Sequence, residues 1–290
     1  MLPVSLLIWL ILEIGGYLYF GRHVLGVDWA AASVGAVGGL LGVRAGINAI
    51  TWVFGMALAS PAPRLGFSRT ARLMFDEYLA FLLTFVLVIP FERLWMPADR
   101  LSKGKQPILL VHGYGCSRGV WWFLRRQLEA AGHIVATVSL TPPYTSIGKL
   151  VPQLERRIDE VCRATGAEQV VLVAHSMGGL VCRAYLGRNG RARVERLITI
   201  ASPHAGSELA RIGFGANARE MEPGSRWLQD LAASEVRVPT VAIRTPHDNY
   251  VMPQDNQRLP GARDIELAGL GHLACLYARR TAAEVTAACR

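Results

Sequence analysis

Apolar residues are arranged in two ways along this chain. Up to about residue 105 they form long runs with scattered charges; beyond it they come in short runs separated by charged stretches. Six of the short runs read as strands: "PILLVHG" (107–113), "HIVATVSL" (133–140), "QVVLVAHS" (169–176), "RLITIAS" (196–202), "TVAIRTP" (240–246) and "ARDIELAG" (262–269). Most are continuous rather than alternating, as strands covered on both faces should be. Helical stretches separate most of them, including "WWFLRRQLEAAG", an amphipathic segment over about 146–165, and "LVCRAYLGR". The pattern predicts an α/β fold: a mostly parallel sheet of six strands with helices on both faces. Ligands of such sheets gather at the carboxyl ends of the strands.

The first hundred residues read differently. "MLPVSLLIWLILEIGGYLYF" is broken only by Glu13, and it lacks the basic start and small-residue cleavage site of a removed signal. Residues 29–60 contain one charge, Arg44, and are rich in Gly and Ala, which suit close helix packing in lipid. Residues 78–91 are uncharged but include Pro90, and their length is marginal for a hydrocarbon core of about 30 Å. The expectation is two or three transmembrane helices in a membrane-anchoring region, 1–100, followed by a catalytic domain, 101–290. Glu13 and Arg44 are costly in lipid and are candidates to pair or to mark a site.

Composition supports this division. The chain is 51% hydrophobic with a mean hydropathy of +0.27, too apolar for an ordinary soluble protein. The net charge of +9 is shared, with 22 basic against 16 acidic residues beyond residue 105 and 9 against 6 before it. No basic block is interleaved with aromatics, so nucleic-acid binding is not indicated; an anionic bilayer is the partner that the charge suggests. With three spans, Arg64, Arg69 and Arg72 fall on one side, and Arg22, Arg93, Arg100, Lys103 and Lys105 on the other. That balance leans toward a multi-pass membrane protein with a cytoplasmic C-terminal domain. The five cysteines show no CxxC spacing, so neither a disulfide framework nor a zinc site is expected.

The stretch "VLVAHSMGGL" (171–180) brings a buried run to Ser176 and then turns into a helix. A sharp strand-to-helix turn needs small residues two positions either side of a nucleophile, and Ala174 and Gly178 supply them. A serine needs a histidine to take its proton and a carboxylate to orient that histidine. The expected chain order is serine, acid, histidine. His272, in "GLGHLACLY", follows the last strand, and Asp248, in "TPHDNYVMP", follows the one before. Asp255 is the rival acid; His247 and His204 are rival bases. His175, inside the turn, is expected to pack locally. An oxyanion needs two donors. The backbone N–H of Met177 and that of Tyr114, in the "VHGYG" loop braced by His112, are the candidates.

These motifs, "VHGYG", "VAHSMGGL", "SPHAGS", "HDNYVMP" and "GLGHLACLY", resemble the α/β-hydrolase superfamily over about the last 185 residues. The resemblance is to its small bacterial lipase and esterase branch, of the Bacillus type with an AHSMG turn. It implies ester hydrolysis through an acyl-enzyme, with Ser176 as nucleophile, His272 as base, Asp248 as orienting acid, Tyr114 and Met177 as oxyanion donors, and no metal or organic cofactor. "SPHAGS" departs from the usual Thr-Pro-His-x-Gly-Thr loop. Residues 1–100 lie outside the resemblance. A domain tethered at a bilayer suits lipid-derived esters. The same machinery serves acyltransferases and thioesterases; a membrane transport or scaffold protein with an inactive hydrolase fold is the alternative from another class.

Overall fold

Six strands form where the apolar runs predict them: β1 (Pro107–Val111), β2 (Ile134–Val138), β3 (Val170–His175), β4 (Val194–Ile200), β5 (Thr240–Arg244) and β6 (Arg263–Glu266). The computed structural model describes residues 1–189, 192–234 and 236–290. All five strand pairings are parallel, in the order β2-β1-β3-β4-β5-β6. The chain moves outward from β1 to β2, then crosses back to β3 on the other side of β1. That reversal opens a crevice at the carboxyl ends of β1 and β3, where open α/β sheets bind ligands.

Side-chain alternation divides the core between the two faces. Ile108, Leu110, Val171 and Val173 pack with Trp121, Leu124 and Leu128, the last two on the helix Trp122–Ala130. Leu109, Val111, Leu172 and Ala174 face the other way, toward Leu154, Ile158 and Val161 of the helix Ile147–Thr165 and Leu180 and Val181 of the helix Met177–Asn189. The helix Ile147–Thr165 buries a stripe at three- and four-residue spacing, Leu150, Leu154, Ile158, Val161 and Thr165. It ends on Gly166 at φ +73°, a left-handed cap that glycine takes without a Cβ clash. Strand β6 is the exposed edge, and its charged Arg263, Asp264 and Glu266 suit that place.

Before the sheet come three long helices: α1 (Leu2–Tyr19), α2 (Trp29–Ala57) and α3 (Phe67–Leu82). Helix α1 continues in π-helical winding to Val24 and α3 to Val88. Asp28 starts α2 by accepting the Ala31 N–H (2.8 Å). Two segments are long and apolar enough to cross a bilayer, Leu2–Val24 and Trp29–Ala57. Most of their residues are uncovered by protein. Residues 78–91 do not make a third among the described residues. They are mostly the second half of α3 and its extension, and Ala80, Phe81, Thr84 and Val88 there are buried against the rest of the protein. Glu13 and Arg44 pair between α1 and α2, and the Tyr17 hydroxyl also donates to Glu13 (3.2 Å). All five cysteines are free thiols, and only Cys289 is not fully buried.

Candidate active site

Ser176 lies between the last residue of β3 and the first of the helix Met177–Asn189. Its φ of +54° is in the left-handed region, rare outside glycine. Such strain costs on the order of 1–3 kcal/mol and persists only where the surroundings impose it. Here the Ser176 N–H donates to Ile200 O on β4 (2.9 Å). The helix then starts hard against β1: a Cβ on Gly178 would lie 2.4 Å from Val111 O and 2.7 Å from His112 O. These are backbone atoms at the end of the central strand β1 and of the residue after it, and they cannot move aside. Gly178→Ala should therefore destabilise the fold by roughly 3 kcal/mol, the upper end for an overpacked core. Thermal unfolding of the full-length chain in detergent checks this, and an unchanged midpoint would contradict it.

The loop after β1 presses on the serine. A Cβ on Gly113 would come within 2.8 Å of Ser176 Cβ. His112 braces this loop from inside: its Nε2 accepts the Leu140 N–H (2.9 Å) and its Nδ1 donates to Gly113 O (2.9 Å). Burial lowers its pKa to about 4, so it stays neutral. Tyr114 follows, half-buried, its phenol donating to Phe214 O (2.6 Å) and accepting the Phe214 N–H (2.9 Å). That bridge ties the loop to residues 213–215.

Asp248, in the loop after β5, is buried. Its Oδ1 accepts the N–H groups of Tyr250 (2.7 Å) and Val251 (2.8 Å), and its Oδ2 lies 2.8 Å from His272 Nδ1. Tyr250 stacks on the His272 ring (centroids 5.0 Å apart), while His175 packs beside it (4.6 Å) and donates from Nε2 to His272 O (3.1 Å). Burial works against a charged His272. The Asp248 carboxylate, by charge and hydrogen bond, and the Glu77 charge outweigh it and hold the pKa above the ordinary imidazole value. The rivals lie elsewhere. Asp255 pairs with Arg258 at the surface (2.8 Å). His247 bonds Pro63 O and the Gly269 N–H. His204 is buried against Thr199 Oγ1 (3.1 Å), its pKa lowered by burial to about 3.

Ser176 and His272 open into one cleft of about 410 Å³ at the crevice between β1 and β3. Among the described residues that line it there is no Asp, Glu, Lys or Arg.

Comparison with known proteins agrees with the fold. The model of a family described as "alpha/beta hydrolase fold" matches residues 106–224. The chain carries an α/β-hydrolase fold. A triacylglycerol lipase of Pseudarthrobacter phenanthrenivorans is 32% identical over 121 residues, 39% of this chain and 38% of the relative. One from Burkholderia plantarii is 32% identical over 121 residues, 39% of this chain and 34% of the relative. The chain thus spans little more than a third of the length of these curated relatives. The mature Bacillus licheniformis lipase BlEst2 superposes with a TM-score of 0.56 at 19% identity, over 63% of this chain and 91% of that one. Aspergillus fumigatus lipase B gives 0.58 at 18% identity, over 65% and 54%. At that identity the likeness is one of fold. The family match includes the Ser176 turn and the Tyr114 loop; Asp248 and His272 lie beyond it.

Two side chains from the N-terminal helices, Thr51 and Glu77, reach the same loops, and sequence reasoning missed them. Thr51 of α2 accepts from Asn249 Nδ2 (2.7 Å), and Asn249 Oδ1 accepts the His272 N–H (3.3 Å). Trp52, beside Thr51, is buried and donates to Asn48 (3.0 Å). Glu77 of α3 is fully buried and accepts the N–H groups of Leu273 (2.9 Å) and Ala274 (2.8 Å), the residues after His272. Burial raises its pKa to about 7, against those two hydrogen bonds and the His272 charge. A signal was present in the sequence: Leu73, Glu77, Ala80, Phe81 and Thr84 form one helical stripe, and a carboxylate inside an apolar stripe needs buried donors.

Proposed function

We propose that this protein is a serine ester hydrolase anchored in a membrane by α1 and α2. The observation that carries the reading is the meeting, in one apolar cleft, of a strained Ser176 and a His272 whose Nδ1 is held by Asp248. With Nδ1–H donated to Asp248, the lone pair of Nε2 is left to act as base. Ser176 Oγ attacks the ester carbonyl carbon as its proton passes to His272 Nε2. The carbonyl oxygen becomes an oxyanion facing the backbone N–H groups of Met177 and Tyr114. Met177 is the first residue of its helix, so its N–H has no intrahelical acceptor. Collapse of the intermediate breaks the bond to the alcohol oxygen, which leaves with the proton from His272. Water, deprotonated by the same nitrogen, then releases the acid and restores Ser176.

The helices α1 and α2 support anchoring through their length and their uncovered apolar surface. With two spans, Arg64, Arg69 and Arg72 follow α2 on the side of the hydrolase domain, while Arg22 and Asp28 lie between the helices. The excess of arginine supports a cytoplasmic side for the domain.

The test is hydrolysis of a p-nitrophenyl ester by the purified full-length chain, followed against pH. The base works only when neutral, and its pKa is raised. Activity should therefore be full in mild alkali and fall as pH drops through an apparent pKa above the ordinary imidazole value of about 6.5. Glu77, with its pKa raised to about 7, is ionised on the alkaline side of this limb, so Glu77→Gln removes a negative charge there and should shift the limb modestly to lower pH. Absence of nitrophenol release at any pH would overturn the reading, and an unmoved limb in Glu77→Gln would remove Glu77 from the electrostatics of the base.

A further inference from the structure

The cleft that holds Ser176 is walled on one side by the hydrolase domain, including Leu209 and Met221, and on the other by the N-terminal helices. Ile47 and Ile50 come from α2, Phe81 from α3, and Phe85 from its extension. These four are not brought to the cleft by chance contacts. The rotation of α2 is fixed by the Thr51–Asn249 hydrogen bond and by Gln254 Nε2 donating to Gly55 O (3.2 Å). At Gly55 the backbones approach so closely that a Cβ would lie 3.3 Å from Asn249 Cα. With Thr51 and Gly55 turned to the domain, Ile47 and Ile50 face the cleft from the same side of the helix. Glu77 fixes α3 in the same way, and Phe81 and Phe85 follow it at four-residue spacing.

The mouth of the cleft is apolar as well. Ile47 and Ile50 line the cleft and are also 44% and 53% exposed; Ile212, on the opposite lip, is 62% exposed and the neighbouring Phe214 75%. Farther along α2, Val43, Val53 and Met56 are exposed as well. An opening for a water-borne ester would carry a polar rim. This rim is aliphatic and aromatic, and it is continuous with the uncovered surface of a helix long enough to cross a bilayer.

We infer that the substrate is a bilayer-resident lipid ester whose acyl chain passes between α2 and the 209–214 segment, with Ile47, Ile50, Phe81 and Phe85 as the acyl-binding wall. The inference rests on the hydrolase reading above and adds its substrate class. An acyl chain makes no demand on charged groups, and the described residues that line the cleft include no Asp, Glu, Lys or Arg; a volume of about 410 Å³ is within the range of pockets that enclose small ligands. The N-terminal helices then serve both as anchor and as half of the binding site.

The test compares kcat/KM for p-nitrophenyl decanoate and p-nitrophenyl butyrate with the full-length chain in phosphatidylcholine vesicles. The wild type should favour the decanoate. Ile50→Trp fills the wall from a half-exposed position that tolerates bulk, and it should lower the decanoate-to-butyrate ratio by about tenfold or more, whatever happens to the overall rate. Val34→Trp, far along α2 from the cleft and 74% exposed, should leave the ratio within roughly twofold of wild type. A preference for butyrate in the wild type, or an unchanged ratio in Ile50→Trp while esters are still turned over, overturns the acyl wall and leaves the hydrolase standing. No turnover of either ester, with Ser176 unreactive to a fluorophosphonate, overturns the hydrolase reading and this inference with it.

Discussion

Ser176→Ala should reduce ester hydrolysis by about a million-fold, to whatever oriented binding and the oxyanion donors can do alone. The effect is large because the serine supplies the bond-forming atom, and nothing nearby replaces it. Ser202 is buried against Gly179, and Ser207 Oγ donates to Tyr250 O (2.6 Å). The alanine should fold well, since it removes one atom from a partly exposed residue. Initial rates under saturating substrate, alongside an unchanged melting midpoint, are the measurement. Residual turnover within roughly a hundredfold of wild type would show that another nucleophile is at work.

Asp248→Asn should lower kcat by about 10⁴-fold. Two of the three hydrogen bonds of Asp248 come from backbone N–H groups, and the asparagine carbonyl can still accept those on Oδ1. The position of Oδ2 then carries an NH₂, a donor facing His272 Nδ1. The imidazole must turn its lone pair to that side and its proton toward Ser176, which disables it as a base. Loss of the carboxylate also removes the main influence that raises the His272 pKa. The variant should thus show a low kcat together with an acidic limb displaced downward. Asp255→Asn, in a surface pair with Arg258, should leave kcat near wild type. The opposite pattern would put the acid at Asp255.

The sheet was legible because its interior strands are covered on both faces, so that "VVLVA" (170–174) is unbroken by polar residues and "LITIA" (197–201) is broken only by Thr199. Strand β6 was recognisable only from its place in the alternation. Its own residues are charged, as an edge allows. The positions of Ser176, Asp248 and His272 at strand ends followed from chain order, and the structure sets the last two 2.8 Å apart. The length of α3 was hidden. Hydropathy marks residues 78–91, but the helix begins at Phe67, because its first half buries one stripe and leaves the other to solvent. The contacts of α2 were hidden for a related reason. Arg44, Asn48, Thr51 and Gly55 share one face of a helix whose overall composition reads as lipid-facing. An average over the helix conceals the stripe, while the partners Asn249 and Gln254 are distant in sequence; only the pairing of Arg44 with Glu13 was a candidate from the sequence.

The central claim is that Ser176 is an activated nucleophile in the intact, membrane-bound chain. Reaction with a fluorophosphonate, followed by peptide mass mapping, addresses it most directly, since an unactivated serine does not react. The account predicts one adduct, on Ser176, lost in Ser176→Ala and strongly slowed in His272→Ala. No adduct on a folded chain, or an adduct on Ser202 or Ser207 with Ser176 unmodified, would contradict it.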